Sequence, residues 1–174
     1  MSLRNIVVEP DPILRKKSEL VEQVNNDTRK LIDDMLQTMY SAPGIGLAAV
    51  QIGILKRIIV IDVSKKEEEK KPIFLINPKI IFKSKETSLF EEGCLSLPGY
   101  FAEIERPAKC KVEYVDYFGK KTELEAEGLL STCIQHEIDH LNGVLFIDYL
   151  SKLKKDMIIK KLIKQKKEID KAIL

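Results

Sequence analysis

Both histidines of this 174-residue chain fall within one segment, GLLSTCIQHEIDHLNG, residues 128 to 143. Leu130, Ile134, Ile138 and Leu141 recur there at helical spacing and form a core-facing stripe. His136 and His140 are four residues apart, so they stack one turn from each other on a different face of the same helix. Gly143 is placed to end it. The pattern is H-E-x-x-H, in which two imidazoles reach one metal ion and Glu137 projects to the side where a water is activated. The plainer reading is a pair of satisfied core or surface histidines. With only two histidines in the chain, their placement at this spacing around a glutamate favours metal.

A catalytic metal site needs a third protein ligand and an open position. No histidine remains. The longer H-E-x-x-H-x-x-G-x-x-H protease pattern is met at Gly143 but fails at Phe146, which has no donor atom. Cys133 lies seven residues from His140, about 10 Å of axial rise, too far to share an ion at bond lengths of about 2 Å. It reads as a pocket wall. Cys94, in FEEGCLSLPGY, is the better candidate: Gly93 frees the backbone beside it, and Pro98-Gly99 signals a turn that would present the thiol from a loop or strand end. The alternative for Cys94 is a small buried hydrophobe, the role assigned to Cys110 in the alternating KCKVEYVDY. Three cysteines without repeated short spacing argue against a disulfide framework and for a reducing compartment.

GIGLAAVQIG, residues 44 to 53, satisfies the G-x-G-x-x-G/A pattern of dinucleotide loops, and IIVID follows it, ending in Asp62. Context argues against a cofactor loop. Asn26-Asp27 caps a helix through TRKLIDDMLQTMYSA, whose Leu31, Met35, Leu36 and Met39 form one stripe and which Pro43-Gly44 stops. A phosphate-binding glycine turn needs a strand before it and a helix after it. Here the order is reversed. RIIVIDV and IFLINPKII read as strands joined by the exposed SKKEEEKK, and KCKVEYVDY with KTELEAE reads as a hairpin around Phe118-Gly119. The expected fold is therefore α+β: mainly antiparallel sheets packed around a central H-E-x-x-H helix, with one helix towards each end, in a single domain over residues 1–174.

Composition, 44% hydrophobic and 32% charged, is that of an ordinary globular protein, and a net charge of +2 gives no general case for DNA binding. No apolar run approaches the roughly 18 residues of a membrane span, and MSLRNIVVEPDP is interrupted too early for a signal peptide. A cytoplasmic location is expected. Residues 151–174 carry nine lysines against Asp156, Glu168 and Asp170, interleaved with apolar residues at helical spacing. They read as a basic amphipathic helix, either a solvated face or a surface for an acidic partner such as RNA.

Three segments, GIGLAAVQIG, EGCLSLPG and QHEIDHLNG, resemble in order and spacing the signature motifs of the peptide deformylases. PDPILR, residues 10 to 15, and Arg106-Pro107 resemble neighbouring stretches of that family. One departure is Val50, where many members carry proline. The resemblance implies a hydrolase that removes the N-formyl group from formylmethionine at the start of new bacterial or organellar proteins and releases formate. It implies Cys94, His136 and His140 as metal ligands, Glu137 as general acid/base, and Gln51 with the Leu95 backbone N–H as oxyanion donors. The backbone at Ile45, Gly46 and Gly93 would pair with the substrate, and Phe90, Leu129, Thr132 and Cys133 would receive the methionine side chain. Fe(II) would be the cellular ion, with Zn, Ni or Co able to replace it, and the basic C-terminal helix would dock at the ribosome. Two other readings stay open: another metallohydrolase, such as a zinc peptidase, on the same ligands, and a non-catalytic zinc protein.

Overall fold

The computed structural model of the chain describes residues 2–173. Helix α1 (Asn26–Ser41) leads into strands β1 (Gly46–Ala48), β2 (Ile58–Ile61), β3 (Ile73–Lys83), β4 (Thr87–Cys94), β5 (Leu97–Pro107), β6 (Lys109–Val115) and β7 (Lys121–Glu127), then helices α2 (Gly128–Leu141) and α3 (Lys152–Ile173). Five strands form one sheet in the order β1-β2-β3-β6-β7, and β4-β5 is a separate hairpin. All the pairings between these strands are antiparallel. The architecture is the expected α+β one.

Strand β2 shows why the layers assemble as they do. Its four apolar residues are all buried, and period-2 alternation sends them to opposite faces. Ile59 and Ile61 pack with Ile134, Ile138 and Leu141 of α2, while Ile58 and Val60 pack with Ile32, Met35 and Met39 of α1. The sheet is thus held between two helices, and α2 lies inside the fold. Each fully buried Leu or Ile in these layers contributes about 1.5–3 kcal/mol. A third cluster joins Leu97 and Ile104 of the hairpin to Leu145, Phe146, Ile147 and Leu162 of α3.

Some local expectations change. The cap of α1 is Asn25, whose side chain accepts from Thr28 N at 2.9 Å, rather than Asn26 or Asp27; Asp27 lies instead in the first turn, where its charge suits the helix dipole. The chain reverses after Cys94 at Leu95-Ser96, and Pro98-Gly99 lies within β5. There the register jumps between Gly93↔Phe101 and Cys94↔Leu97, so the dipeptide forms a bulge rather than the turn. The glycine segment forms β1, not a phosphate loop. Asp62 at the end of β2 accepts from the Tyr40 hydroxyl and from Ser64 N, so it is committed to the fold. Gly128 (φ 60°) makes the direct corner from β7 into α2 that a side chain would strain.

The N-terminal segment is tied down by Asp34 of α1, which accepts from Ser2 N at 2.7 Å, Ser2 Oγ at 3.0 Å and Arg4 Nη2 at 2.8 Å. The Ser2 amide, with help from Arg4 and against burial, holds this carboxyl down at about 2, below its ordinary 3.8. A depressed folded value means stability that is present above the unfolded pKa and lost as pH falls through the folded one. Replacing Asp34 by Asn should lower the urea midpoint at about pH 6, with the gap to the parent closing between about pH 4 and pH 2. An unchanging gap over that range would reject the assignment.

Candidate metal centre

Helix α2 brings His136 and His140 to the hairpin with their rings buried and their centroids 5.0 Å apart. Cys94 ends β4, directly before the two-residue reversal, and its Sγ lies 3.3 Å from His140 Nε2. The potential ligand atoms of Cys94, His136 and His140 all lie within 4.8 Å of one another. One thiol and two imidazoles are a borderline-soft donor set suited to a divalent transition metal. The residues therefore fit such an ion. Phe146, at the position where the longer protease pattern has its third histidine, instead stacks on His136 at 6.2 Å between centroids.

His136 is fixed by a second layer. Glu92 Oε2 lies 2.8 Å from His136 Nδ1, and because a carboxylate only accepts, Nδ1 carries the proton and Nε2 is left as the donor to a metal. Arg106 grips the same carboxylate in a two-point pair, Nε to Oε1 and Nη2 to Oε2 at 3.0 Å. Burial alone would raise the Glu92 carboxyl, but hydrogen bonds from His136 and Arg106 hold it below its ordinary value. Burial likewise opposes charge on His136, yet Cys94 and Glu92 carry its pKa well above the usual imidazole value. His140, desolvated and facing His136 and Arg106, is driven well below it.

Glu137 is buried, and its Oε2 has no hydrogen-bond partner among the described residues. Burial is the largest cause that pushes its carboxyl up to about 7; the charges of Glu92 and Asp139 add to this, and His136 and Arg106 oppose it. An uncommitted carboxyl of this kind is suited to carry a proton. Gln51 is anchored by Oε1, which accepts from Ala48 N at 2.9 Å, so its Nε2 points to Ser96 Oγ at 3.1 Å and lies 3.5 Å from Cys94 Sγ. Leu95 sits in the reversal beside Cys94 and packs over Gly44. At Gly46 an added Cβ would run into Glu137 Oε1 and lie 2.9 Å from Cys133 Sγ, so only glycine lets β1 approach the site this closely.

Two cavities meet at His136 and Glu137. One, of about 80 Å³, is lined by Ile45, Phe90, Gly93, Leu129, Thr132 and Cys133 among others. The other, of about 370 Å³, is bordered by Gly44, Gly46, Gln51, Cys94, Leu95 and Phe101. Cys133 is thus a wall residue, with its Sγ 3.8 Å from the Ile45 carbonyl, and Cys110 lies in the core between sheet and α2.

A sequence model described as polypeptide deformylase matches residues 3–156. The chain belongs to that family. It is 60% identical over 167 residues to the peptide deformylase of Rhizobium meliloti, covering 96% of each chain, and 63% identical over 166 residues to that of Pelagibacter ubique, covering 95% of this chain and 96% of the relative. Among solved structures, the peptide deformylase of Ehrlichia chaffeensis superposes with a TM-score of 0.91 at 47% identity, over 97% of this chain and 99% of the other. The same protein in complex with actinonin gives 0.91 at 48% identity, over 95% and 98%. Deformylase membership accords with the three motifs converging on one site, two from strand ends and one from a helix.

Sequence reading missed Glu92 as the partner of His136. The signal was present: Phe90, Glu92 and Cys94 share the parity of one strand, so Glu92 faces the side that carries the thiol. Replacing Cys94 by Ala should lower metal content from about one equivalent to near zero, since a three-ligand site loses its only thiolate. Cys110→Ala should keep the parent's content. Equal metal in the two variants by elemental analysis would sink the ligand assignment.

Proposed function

We propose that the chain removes the N-formyl group from the formylmethionine of newly made proteins and releases formate, at a divalent metal held by Cys94, His136 and His140. The observation that carries this is the juxtaposition of those three donors with a buried, uncommitted Glu137 between two open strand edges. Strand β1 borders its sheet and pairs only with β2, and β4 pairs only with β5. Both edges line the 370 Å³ cavity, at Gly46 and Gly93, so an extended peptide fits between them as an added strand. The 80 Å³ cavity, with its walls of Phe90, Leu129, Thr132 and Cys133, suits a flexible thioether side chain.

When bound, the ion supplies Lewis acidity, which lowers the pKa of a water towards neutrality and polarises a carbonyl. Glu137 accepts the proton of the attacking water and returns it to the departing amine, a role that contributes about 10²–10⁴-fold. Gln51 Nε2 and the Leu95 backbone N–H donate to the oxygen on which negative charge develops, each worth about 3 kcal/mol when preorganised. The Gln51 amide stays neutral at any working pH, and its Ala48 anchor keeps the donor end turned to the site. We assign Fe(II) as the cellular ion, with Zn, Ni or Co as replacements, on the strength of the likeness to the peptide deformylases; one thiolate beside two imidazoles accommodates any of the four.

Replacing Glu137 by Gln should cut formate release from formyl-Met peptides by about 10²–10⁴-fold while bound metal stays at the parent level. Full release by that variant would remove Glu137 from its role. Cleavage of unblocked peptides by the parent, without formate, would instead identify a peptidase.

The cytoplasm of a bacterium is the assigned location, with a processed organellar form as the alternative; no described helix is long and apolar enough to cross a membrane. We further assign α3 to ribosome docking. It anchors through Leu162 and leaves Lys160, Lys164 and Lys167 exposed. Changing these three to Glu should abolish salt-sensitive cosedimentation with ribosomes while preserving the Leu162 contact that truncation would destroy. Undiminished cosedimentation would defeat the assignment.

A further inference from the structure

The ion pair behind His136 does not end at Arg106. Arg106 Nη1 donates to Asp139 Oδ2 at 2.8 Å, and the Tyr149 hydroxyl donates to the same oxygen at 2.7 Å. The guanidinium also lies 4.8 Å from the centre of the Tyr149 ring. His136 and Asp139 are three residues apart on α2, hence neighbours on its surface. Glu92 and Arg106 project from the hairpin, where Glu92 opposes Ala102 and Arg106 lies four residues further on the same face. The links therefore close into a ring: His136 to Glu92, Glu92 to Arg106, Arg106 to Asp139, and Asp139 back to His136 through one turn of helix.

Two attachments one turn apart hold a helix against rotation about its axis as a single attachment cannot. Arg106 is almost wholly buried, and its planar fork fits two carboxylates at once, which a lysine could not match. Tyr149 is half exposed and borders a groove of about 940 Å³, lined also by Arg106 and Asp139. The ring thus runs from the metal ligand to an open groove that neither the metal nor the peptide cavities use.

We propose that Asp139 and Tyr149 are positioning residues for the metal centre: through Arg106 and Glu92 they fix the rotation of α2 and the aim of the His136 ring. They touch neither substrate nor metal. Replacing Asp139 by Asn keeps an acceptor oxygen but removes the charge that strengthens the bond to Arg106. Tyr149→Phe keeps the ring over Arg106 and removes only the hydroxyl, which donates to Asp139 and accepts from Arg106 Nη1 at 3.4 Å. Loosening either lets Arg106 shift and frees Glu92, so the imidazole aims less well.

The test uses the full chain loaded with Co(II), read by its visible ligand-field band and by the rate of cobalt loss to a chelator, together with the thermal midpoint of the metal-free protein. Partners of metal-bound histidines typically matter by 10–100-fold in affinity, and with two further links in between we expect about tenfold faster loss for Asp139→Asn and about threefold for Tyr149→Phe. Because both residues act through Arg106, the double variant should lose cobalt more slowly than the product of the two effects. The band should shift in each variant. A merely structural role would lower the midpoint and leave band and release unchanged, which would overturn the proposal, as would multiplicative effects in the double variant. Tyr149→Phe decides the matter should Asp139→Asn fail to fold, since the half-exposed hydroxyl is the gentler change. The inference rests on the metal-centre reading; a parent chain that takes up no cobalt would fail that reading before any variant is compared.

Discussion

Helix α2 has two demands on it that pull in opposite directions, and the rest of the molecule is arranged around them. Its apolar stripe requires the dry interior between α2 and the sheet, with Ile134, Ile138 and Leu141 packed on Ile59 and Ile61. Its other face carries His136, Glu137, Asp139 and His140, groups that are costly to bury without partners. The β4-β5 hairpin resolves the conflict. It covers that face with its own polar set, Cys94, Glu92 and Arg106, which meet His140, His136 and Asp139 and leave Glu137 without a partner among the described residues.

This pairing explains why the site has reactive groups rather than a quiet buried ion pair. Arg106 and Glu92 pair at two points, and Glu92 orients His136. Glu137 is left out of the network, and without a partner its carboxyl rises towards neutrality. Two carboxylates on neighbouring elements therefore have opposite properties: Glu92, held below its ordinary value, orients His136, while Glu137, raised, is suited to carry a proton. Environment assigns the roles, since the side chains are chemically the same.

Openness comes from the edges. A five-stranded sheet and a two-stranded hairpin that do not hydrogen-bond to each other leave β1 and β4 each with one unpaired side. Exposed edges invite unwanted pairing, but here both border the 370 Å³ cavity beside the candidate metal ligands. Gly46 and Gly93 keep the passage clear, because a Cβ at Gly46 would meet Glu137 and one at Gly93 would meet the Phe101 ring.

By itself the sequence determined the three helices, strands β2, β3, β6 and β7, and the chemistry that one helix carries, but not β1 or the β4-β5 hairpin. The stripe in residues 128–143 specified a helix with one buried face, the H-E-x-x-H spacing put two imidazoles and a carboxylate on it, and the apolar runs specified strands. Those are properties of helical and strand periods, which depend on near neighbours. Even the rejected nucleotide loop was decided locally, by the helix that precedes it. The tertiary structure decided what depends on distance across the chain. Which of Glu91 and Glu92 turns inward, where the chain reverses after Cys94, and that Arg106 links the hairpin to Asp139 follow from register and packing between segments far apart in sequence. A bulge in β5 moved the expected turn, since strand pairing overrode the local signal of Pro98-Gly99. The three candidate ligands were legible one by one from residue type and motif, but their convergence within 4.8 Å required β4 to end against α2, and no spacing along the chain encodes that meeting.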